Sequence, residues 1–347
     1  MRCITKGANR CTEGCNCTGV GSQIVCQIPK DELSIVHFPH NGTEYPVLTC
    51  RRDSANAIKI SEGNYDVYWN CRKKHYRRLV KVSDCAYIDD EWKYHEGEEI
   101  CVWTEWESIT RASKMPQSSN PLGATFIHQP KYPVSVTIAA KEPNKYYGNG
   151  KVSDALNTDP CIFGRTFKYA ICRQGHDPWL RKLAENSLVL FWSHKSDSFC
   201  LDTVFVVGKN PIDYIMGSSS KVRCSQEYRN LTLDRLDNGV TGTFYRGISY
   251  DKKNPPPIYS FAPAARLCDK NSACRCEFKV EDIQKLNKAI GGSGAFIKSN
   301  GHFRSKHECV SSGRIKCVWD KLVELVMGKG FFLGVHFDWP KVEADKV

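Results

Sequence analysis

The sequence predicts an α+β fold: a twisted β-barrel core, elaborated by N-terminal β structure and completed by a C-terminal helix–strand unit. Three observations carry this expectation. Between Asn157 and Gly208 a polar turn, NTDPCIFG, leads through an aromatic alternation to two apolar runs, SLVLFW and FCLDTVFVVG. Such runs, bounded by turn residues, read as paired strands. Near the C-terminus Ile315, Val318, Trp319, Leu322, Val323 and Val326 fall on one helix face. Residues 1–65 are rich in Gly, Asn, Thr and Pro and hold only short extended pieces, Ser22–Ile28 and Val47–Thr49 among them.

Taken in chain order, Tyr65–Val82 (YDVYWNCRKKHYRRLVKV) alternates aromatics before a dense basic run. Glu99–Ile109 reads as a strand, because Ile100, Val102, Thr104, Trp106 and Ser108 share one side by period two. The proline-bearing segment Arg111–Pro133 reads as a surface loop, and Lys141–Gly150 as a breaker-rich link. Asp177-Pro178 has the form of an N-cap and first helical position, opening a short helix WLRKLAEN. Leu188–Trp192 and Phe199–Val207 are strands joined by the loop HKSDS. Thr241–Pro263 is aromatic and is broken by three consecutive prolines, which favour an extended stretch between two strand-like pieces. Val280–Ile290 is a helix stopped by Gly291-Gly292. The last helix is capped by Ser312, ends at Gly328 and precedes a buried strand at Phe331–Phe337. The expected organisation is an irregular β-rich region at 1–98, the barrel core at 99–215 and an α+β region at 216–347 packed on that core.

With 347 residues the chain can bury a sizeable core without disulfides or metals. Lys and Arg total 49 against 38 Asp and Glu, a net charge of +11 that favours polyanions by counterion release. Residues 1–20 hold no apolar signal-peptide segment, and no run approaches the length of a membrane-spanning helix. Many of the 18 cysteines, including Cys101, Cys172 and Cys200, lie in apolar strand-like runs where they would serve as small buried hydrophobes. A reduced, cytoplasmic protein is expected, with no membrane partner.

Candidate sites come from five places. Cys11, Cys15 and Cys17 form one thiol group, and Cys268, Cys274 and Cys276, with His307 and Cys309 further on, form another. Neither has paired C-x-x-C spacing, so incidental thiols are favoured over zinc and no metal is expected. The basic run, through Arg72, Lys73, Lys74, Arg77 and Arg78, can follow a phosphate backbone if it is exposed, with Tyr76 as a stacking surface. Asp159 sits in a polar turn. Asp202 sits inside an apolar strand, where it must face solvent, a ligand cavity or a structural Arg. Arg246 can neutralise Asp202 or clamp a phosphate. Local catalytic motifs (GxSxG, HExxH, Walker A, and H-x-E with P-C-x-x-C) are missing. A Cys–His–Asp constellation assembles across a fold and leaves no local motif, so that option stays open.

The blocks WTEWE near residue 105, NTDPCIFG, LVLFWSH with FCLDTVFVVG, FYRG with YSFAP, and GFFLGVHF together resemble a family of bacterial and phage nucleotide-modification-associated domains. The turn–strand–hairpin order is also similar to PUA-like barrels of the EVE, ASCH and YTH type. This chain has Asn186-Ser187 where those barrels carry Gly-Asp before the first strand of the pair. The resemblance implies a nucleic-acid or nucleotide binding protein, a reader of modified bases in a modification or defence system with partner proteins of that system. The alternative it implies is a nucleotide- or base-processing hydrolase or transferase. The expected pocket uses Asn157, Asp159, Phe163, Tyr169 and Gln174, with Ser193, Asp202 and Thr203 from the hairpin and Tyr245 and Arg246 from the second aromatic block. Neither a cofactor nor a catalytic residue is assigned.

Overall fold

The computed structural model describes residues 2–3, 17–20, 23–26, 33–42, 44, 57–61, 64–67, 77–106, 110–116, 122–131, 159–195, 198–215, 221–233, 241–267, 274–291, 296–297 and 306–340. The first strands are β1 (Arg2–Cys3), β2 (Cys17–Val20), β3 (Gln23–Cys26), β4 (Leu33–Asn41), β5 (Ala57–Ser61) and β6 (Asn64–Val67). Next come β7 (Arg78–Ile88), β8 (Tyr94–Thr104), β9 (Thr110–Lys114), β10 (Phe126–Pro130) and β11 (Lys168–Tyr169). They are followed by β12 (Leu188–Lys195), β13 (Ser198–Val206), β14 (Ile212–Ile215) and β15 (Thr241–Arg246). The last are β16 (Ala262–Arg266), β17 (Glu277–Phe278), β18 (Lys306–Val310) and β19 (Phe332–Phe337). The α-helices among the described residues are α1 (Gln226–Leu231), α2 (Val280–Ile290) and α3 (Ser312–Met327).

The fold is mixed α+β. Its largest sheet runs β19-β16-β8-β7-β10-β9-β6-β5, and β19 also pairs with β7, which bends that end into a partly closed ring. A second sheet, β17-β13-β12-β4-β18, pairs β12 with β4 in parallel and is otherwise antiparallel. These two sheets draw strands from all three of the segments 1–98, 99–215 and 216–347.

Period-two reasoning accounts for β8 in part. Ile100 and Val102 enter the main core, while Cys101 and Trp103 are buried on the opposite face with Leu79 and Ala124. That strand is covered on both sides, so it reads as a continuous apolar run. The expectation of a loop across Arg111–Pro133 is corrected. β9 and β10 lie in this segment and pair antiparallel from Phe126↔Lys114 to Pro130↔Thr110. Thr110 and Ala112 point inward and Arg111 and Ser113 less so, an alternation too short to stand out beside the prolines.

The C-terminal elements fall where their patterns put them. Helix α2 ends at Gly291, whose φ of +77° is the left-handed conformation glycine adopts without a Cβ penalty. All six residues of the expected face of α3 are buried. Its cap is Ser311, one residue earlier than expected, with the hydroxyl accepting from the Arg314 N–H at 3.4 Å. The expected helix at Trp179–Asn186 shrinks to a 3-10 turn at Pro178–Lys182, and Asp177 makes no capping bond there. Its carboxylate instead lies 3.2 Å from Arg173 Nε.

Candidate active site

Four elements converge on a buried polar cluster. β4 supplies His40, the residue just before β7 supplies Arg77, and the residue just after β8 supplies Glu105. The turn after β11 supplies Cys172. The parallel pairing of β12 on β4 sets Ser193 beside His40 in register. On β13 the register jumps between Phe191↔Thr203 and Trp192↔Leu201, so Asp202 is the extra residue of a β-bulge. A bulge re-aims a side chain that the regular pleat would send elsewhere.

Within the cluster Cys172 Sγ lies 3.3 Å from His40 Nε2. The other ring nitrogen, Nδ1, lies 3.0 Å from Glu105 Oε2. Arg77 Nη1 donates to that same oxygen at 2.7 Å. Arg77 Nε sits 3.0 Å from Asp202 Oδ2, an ionic contact whose angle does not make a hydrogen bond. Ser193 Oγ donates to Asp202 Oδ1 at 3.0 Å and accepts from Arg275 Nη1 at 3.0 Å. The Arg275 guanidinium lies over the Trp103 ring, 4.1 Å from its centroid. His40, Arg77, Glu105, Ser193, Asp202 and Arg275 are all buried, whereas Cys172 is half-buried.

Two guanidinium groups against two carboxylates balance the interior charge, and balance is what makes such burial tolerable. Burial works against the charged form of Arg77, yet Asp202 and Glu105 together hold its pKa above the ordinary arginine value. For Asp202, burial pushes the pKa up, opposed by Arg77, Arg275 and the Ser193 hydroxyl. Asp159 is buried separately. Its Oδ1 accepts from the Ala170 N–H at 3.0 Å, and its Oδ2 from Ile171 at 2.8 Å and Cys172 at 2.7 Å. Burial raises its pKa to about 7 against the pull of those three donors.

The residues expected to line a base pocket are placed as follows. Asn157 lies outside the described residues. Phe163 packs edge-on against Trp106, with centroids 4.7 Å apart. Tyr169 stacks on Tyr245 at 6.0 Å and 11°, both rings being internal. Gln174 mimics a strand, donating to the Thr243 carbonyl at 2.8 Å and accepting from its N–H at 2.7 Å. Thr203 is buried. Tyr245 accepts from the Leu183 N–H at 3.1 Å. Arg246 lies over Phe244 and donates to the Arg223 carbonyl. Arg77 and Arg275, rather than Arg246, face Asp202.

The structure therefore brings Ser193 and Asp202 together and keeps Phe163, Tyr169, Gln174 and Tyr245 as core and framework. Arg72, Lys73 and Lys74 lie outside the described residues. Arg77 and Arg78, expected on a phosphate-facing surface, are instead 1% and 0% exposed. Arg78 Nη1 donates to Thr110 Oγ1 at 3.3 Å. Cys172, expected as a small buried hydrophobe, is corrected to a half-buried thiol against an imidazole.

Of the thiol groups, Cys11, Cys15 and Cys268 lie outside the described residues, as does the Cys17 side chain. Cys274 is half-buried and Cys276 is buried. Among the described residues, no group of three or more His, Cys, Asp or Glu side chains is arranged to hold a metal ion. No described helix is long and apolar enough to cross a membrane.

His40 and Glu105 were missed by the sequence reading. Glu105 carried a signal, since a carboxylate between Trp103 and Trp106 in an apolar run needs a buried partner. His40 carried none. No protein-family model, no curated protein and no solved structure matches this chain.

Proposed function

We propose that this protein is a cysteine-dependent hydrolase or group transferase, with Cys172 as nucleophile, His40 as general base and Glu105 as the group that orients the imidazole. The observation that carries this reading is the unbroken chain of contacts, thiol to Nε2 at 3.3 Å and Nδ1 to carboxylate at 3.0 Å. Nucleophile, base and orienting acid in hydrogen-bond sequence are the recurring logic of acyl-transfer sites on unrelated folds. A fixed carboxylate on Nδ1 selects the tautomer that leaves Nε2 able to take the thiol proton.

The steps follow from that geometry. His40 Nε2 takes the proton from Cys172, and the thiolate attacks an electrophilic carbonyl carbon. As the C–S bond forms, the bond to the leaving group breaks, and the leaving group receives the proton from His40. Water, or another acceptor, then loses a proton to the same nitrogen and attacks the thioester. The C–S bond breaks and the thiol is restored. Because the Cys172 N–H is engaged by Asp159, the developing oxyanion draws on donors other than the nucleophile's own amide.

The test is intact-protein mass spectrometry during incubation with activated esters and thioesters. The expected result is an acyl adduct on Cys172 that builds and decays in the unmodified protein and does not form in Cys172→Ala. Turnover that persists in that variant would end the proposal. The second reading, nucleic-acid or nucleotide binding, is favoured by the net charge of +11, which also favours an anionic substrate for the enzyme.

A further inference from the structure

Resting on that reading of Cys172, we propose that Asp159 is a positioning residue that fixes the nucleophile for its imidazole. The segment Ala170–Cys172 belongs neither to a helix nor to a strand, so its backbone polar groups need partners from elsewhere. All six have them. The three N–H groups converge on the Asp159 carboxylate. The three carbonyls accept from Tyr214 Oη at 3.1 Å, the Gln174 N–H at 3.0 Å and Tyr169 Oη at 2.8 Å. The Cys172 residue is thus gripped at its N–H by Asp159 and at its C=O by Tyr169, which fixes the backbone from which the thiol reaches His40.

The carboxylate is itself held in place. Cys161 and Lys168 exchange both backbone hydrogen bonds at 2.8 Å. That bridge closes the intervening loop and sets Asp159 across from residues 170–172. A carboxylate is the side chain this arrangement calls for, because it offers two acceptor oxygens and no donor. Three N–H donors would oppose a protonated acid or an amide, each of which turns one donor toward them. Among the described residues, the titratable groups that face Asp159 include Glu105, Cys161, Tyr169, Tyr214 and Tyr228, and the carboxylate among these, Glu105, adds to the upward push of burial. A purely structural acid would satisfy donors wherever the fold required. Here the three donors are consecutive and end on the nucleophile.

Asp159→Asn preserves size and removes one acceptor. The measurement is the rate of Cys172 carbamidomethylation by iodoacetamide, site-resolved by mass spectrometry, in the native protein and in this variant. Cys309 serves as the exposed internal reference. In the native protein Cys172 reacts faster than Cys309, and in Asp159→Asn its rate falls roughly 10- to 100-fold while that of Cys309 is unchanged. An undiminished Cys172 rate in a folded variant overturns the positioning role and leaves the nucleophile reading standing. A native Cys172 no faster than Cys309 overturns the nucleophile reading itself. If Asp159→Asn does not fold, amide hydrogen exchange on the unmodified protein decides. Protection of the amides of residues 170–172 equal to that of the core strands supports the role, and loop-like exchange there overturns it.

Discussion

Arg77 and His40 share one oxygen atom: Glu105 Oε2 accepts from Arg77 Nη1 at 2.7 Å and lies 3.0 Å from His40 Nδ1. The carboxylate that would orient the base is therefore itself fixed by a guanidinium, which in turn reaches Asp202. The proposed catalytic geometry and the core electrostatics meet in a single side chain, so substitutions here are expected to act on both stability and reactivity.

Glu105→Gln keeps the shape but removes the charge, leaving Arg77 with Asp202 as its remaining carboxylate. We expect a loss of about 3–5 kcal/mol of stability, the usual cost of breaking a buried pair by removing one partner. Urea denaturation measures it. Cys172 alkylation in the folded fraction should slow as well, and an unchanged rate would separate Glu105 from the thiol.

Asp202→Ala tests the bulge. Asp202 is 3% exposed and stands between Arg77 and Ser193, with Arg275 one hydroxyl away. Its removal strands buried positive charge, and a destabilisation of about 3–5 kcal/mol is expected. A variant as stable as the native protein would mean that Asp202 had been free to face a ligand, one of the three options its place in the sequence left open.

Acid sensitivity follows from His37. Burial, then the nearby charges of Lys306 and His194, lowers its pKa from 6.5 to about 3. The unfolded chain therefore binds a proton that the folded one refuses, so the stability from a neutral His37 is present above pH 6.5 and is lost as pH falls toward 3. Replacing His37 with Phe, in its aromatic surround of Trp192, Phe199 and Phe296, should flatten this dependence between pH 6 and pH 4. A denaturation midpoint that keeps the native slope would contradict it.

Asp159 works in the opposite direction. Its folded pKa of about 7 stands above the ordinary value of 3.8, so its contribution favours the fold at low pH and is lost as pH rises between those two values. Relative to Asp159→Asn, the native protein should lose stability from pH 4 to pH 7, whereas thiol positioning should improve over the same range. Equal stability profiles for the two proteins would refute the burial effect.

The tip of the β7–β8 hairpin offers a surface test. Trp92 is 59% exposed and holds a φ of +61°, a left-handed conformation that costs a side-chain-bearing residue about 1–2 kcal/mol. Trp92→Gly should raise the midpoint of thermal unfolding by a few degrees. A lower midpoint would show that the indole contributes packing that outweighs the strain.

Local patterns made much of the fold legible. The 3.6-residue stripe of α3, the glycine stop of α2 and the two apolar runs of β12 and β13 each declare themselves within a dozen residues. β9 and β10 were hidden because a five-residue alternation is brief and prolines dominate the surrounding composition. The site was less legible for a different reason. His40 lies 65 residues from Glu105 and 132 from Cys172 in the chain, and only the tertiary fold brings the three together. Cys172 looked apolar by its neighbours in KYAICRQ, and nothing in that string reveals an imidazole 3.3 Å from its sulfur. The basic run misled for a related reason, since two of its arginines turn inward to meet Glu105 and Thr110.

The most direct test is the pH dependence of Cys172 alkylation in the native protein and in His40→Ala, with Cys309 and Cys317 as exposed references. If His40 activates the thiol, Cys172 outpaces both references at pH 6 to 7 in the native protein. In His40→Ala it then drops to their rate or below. A Cys172 whose rate and pH profile are the same with and without His40 would contradict the assignment of a catalytic pair.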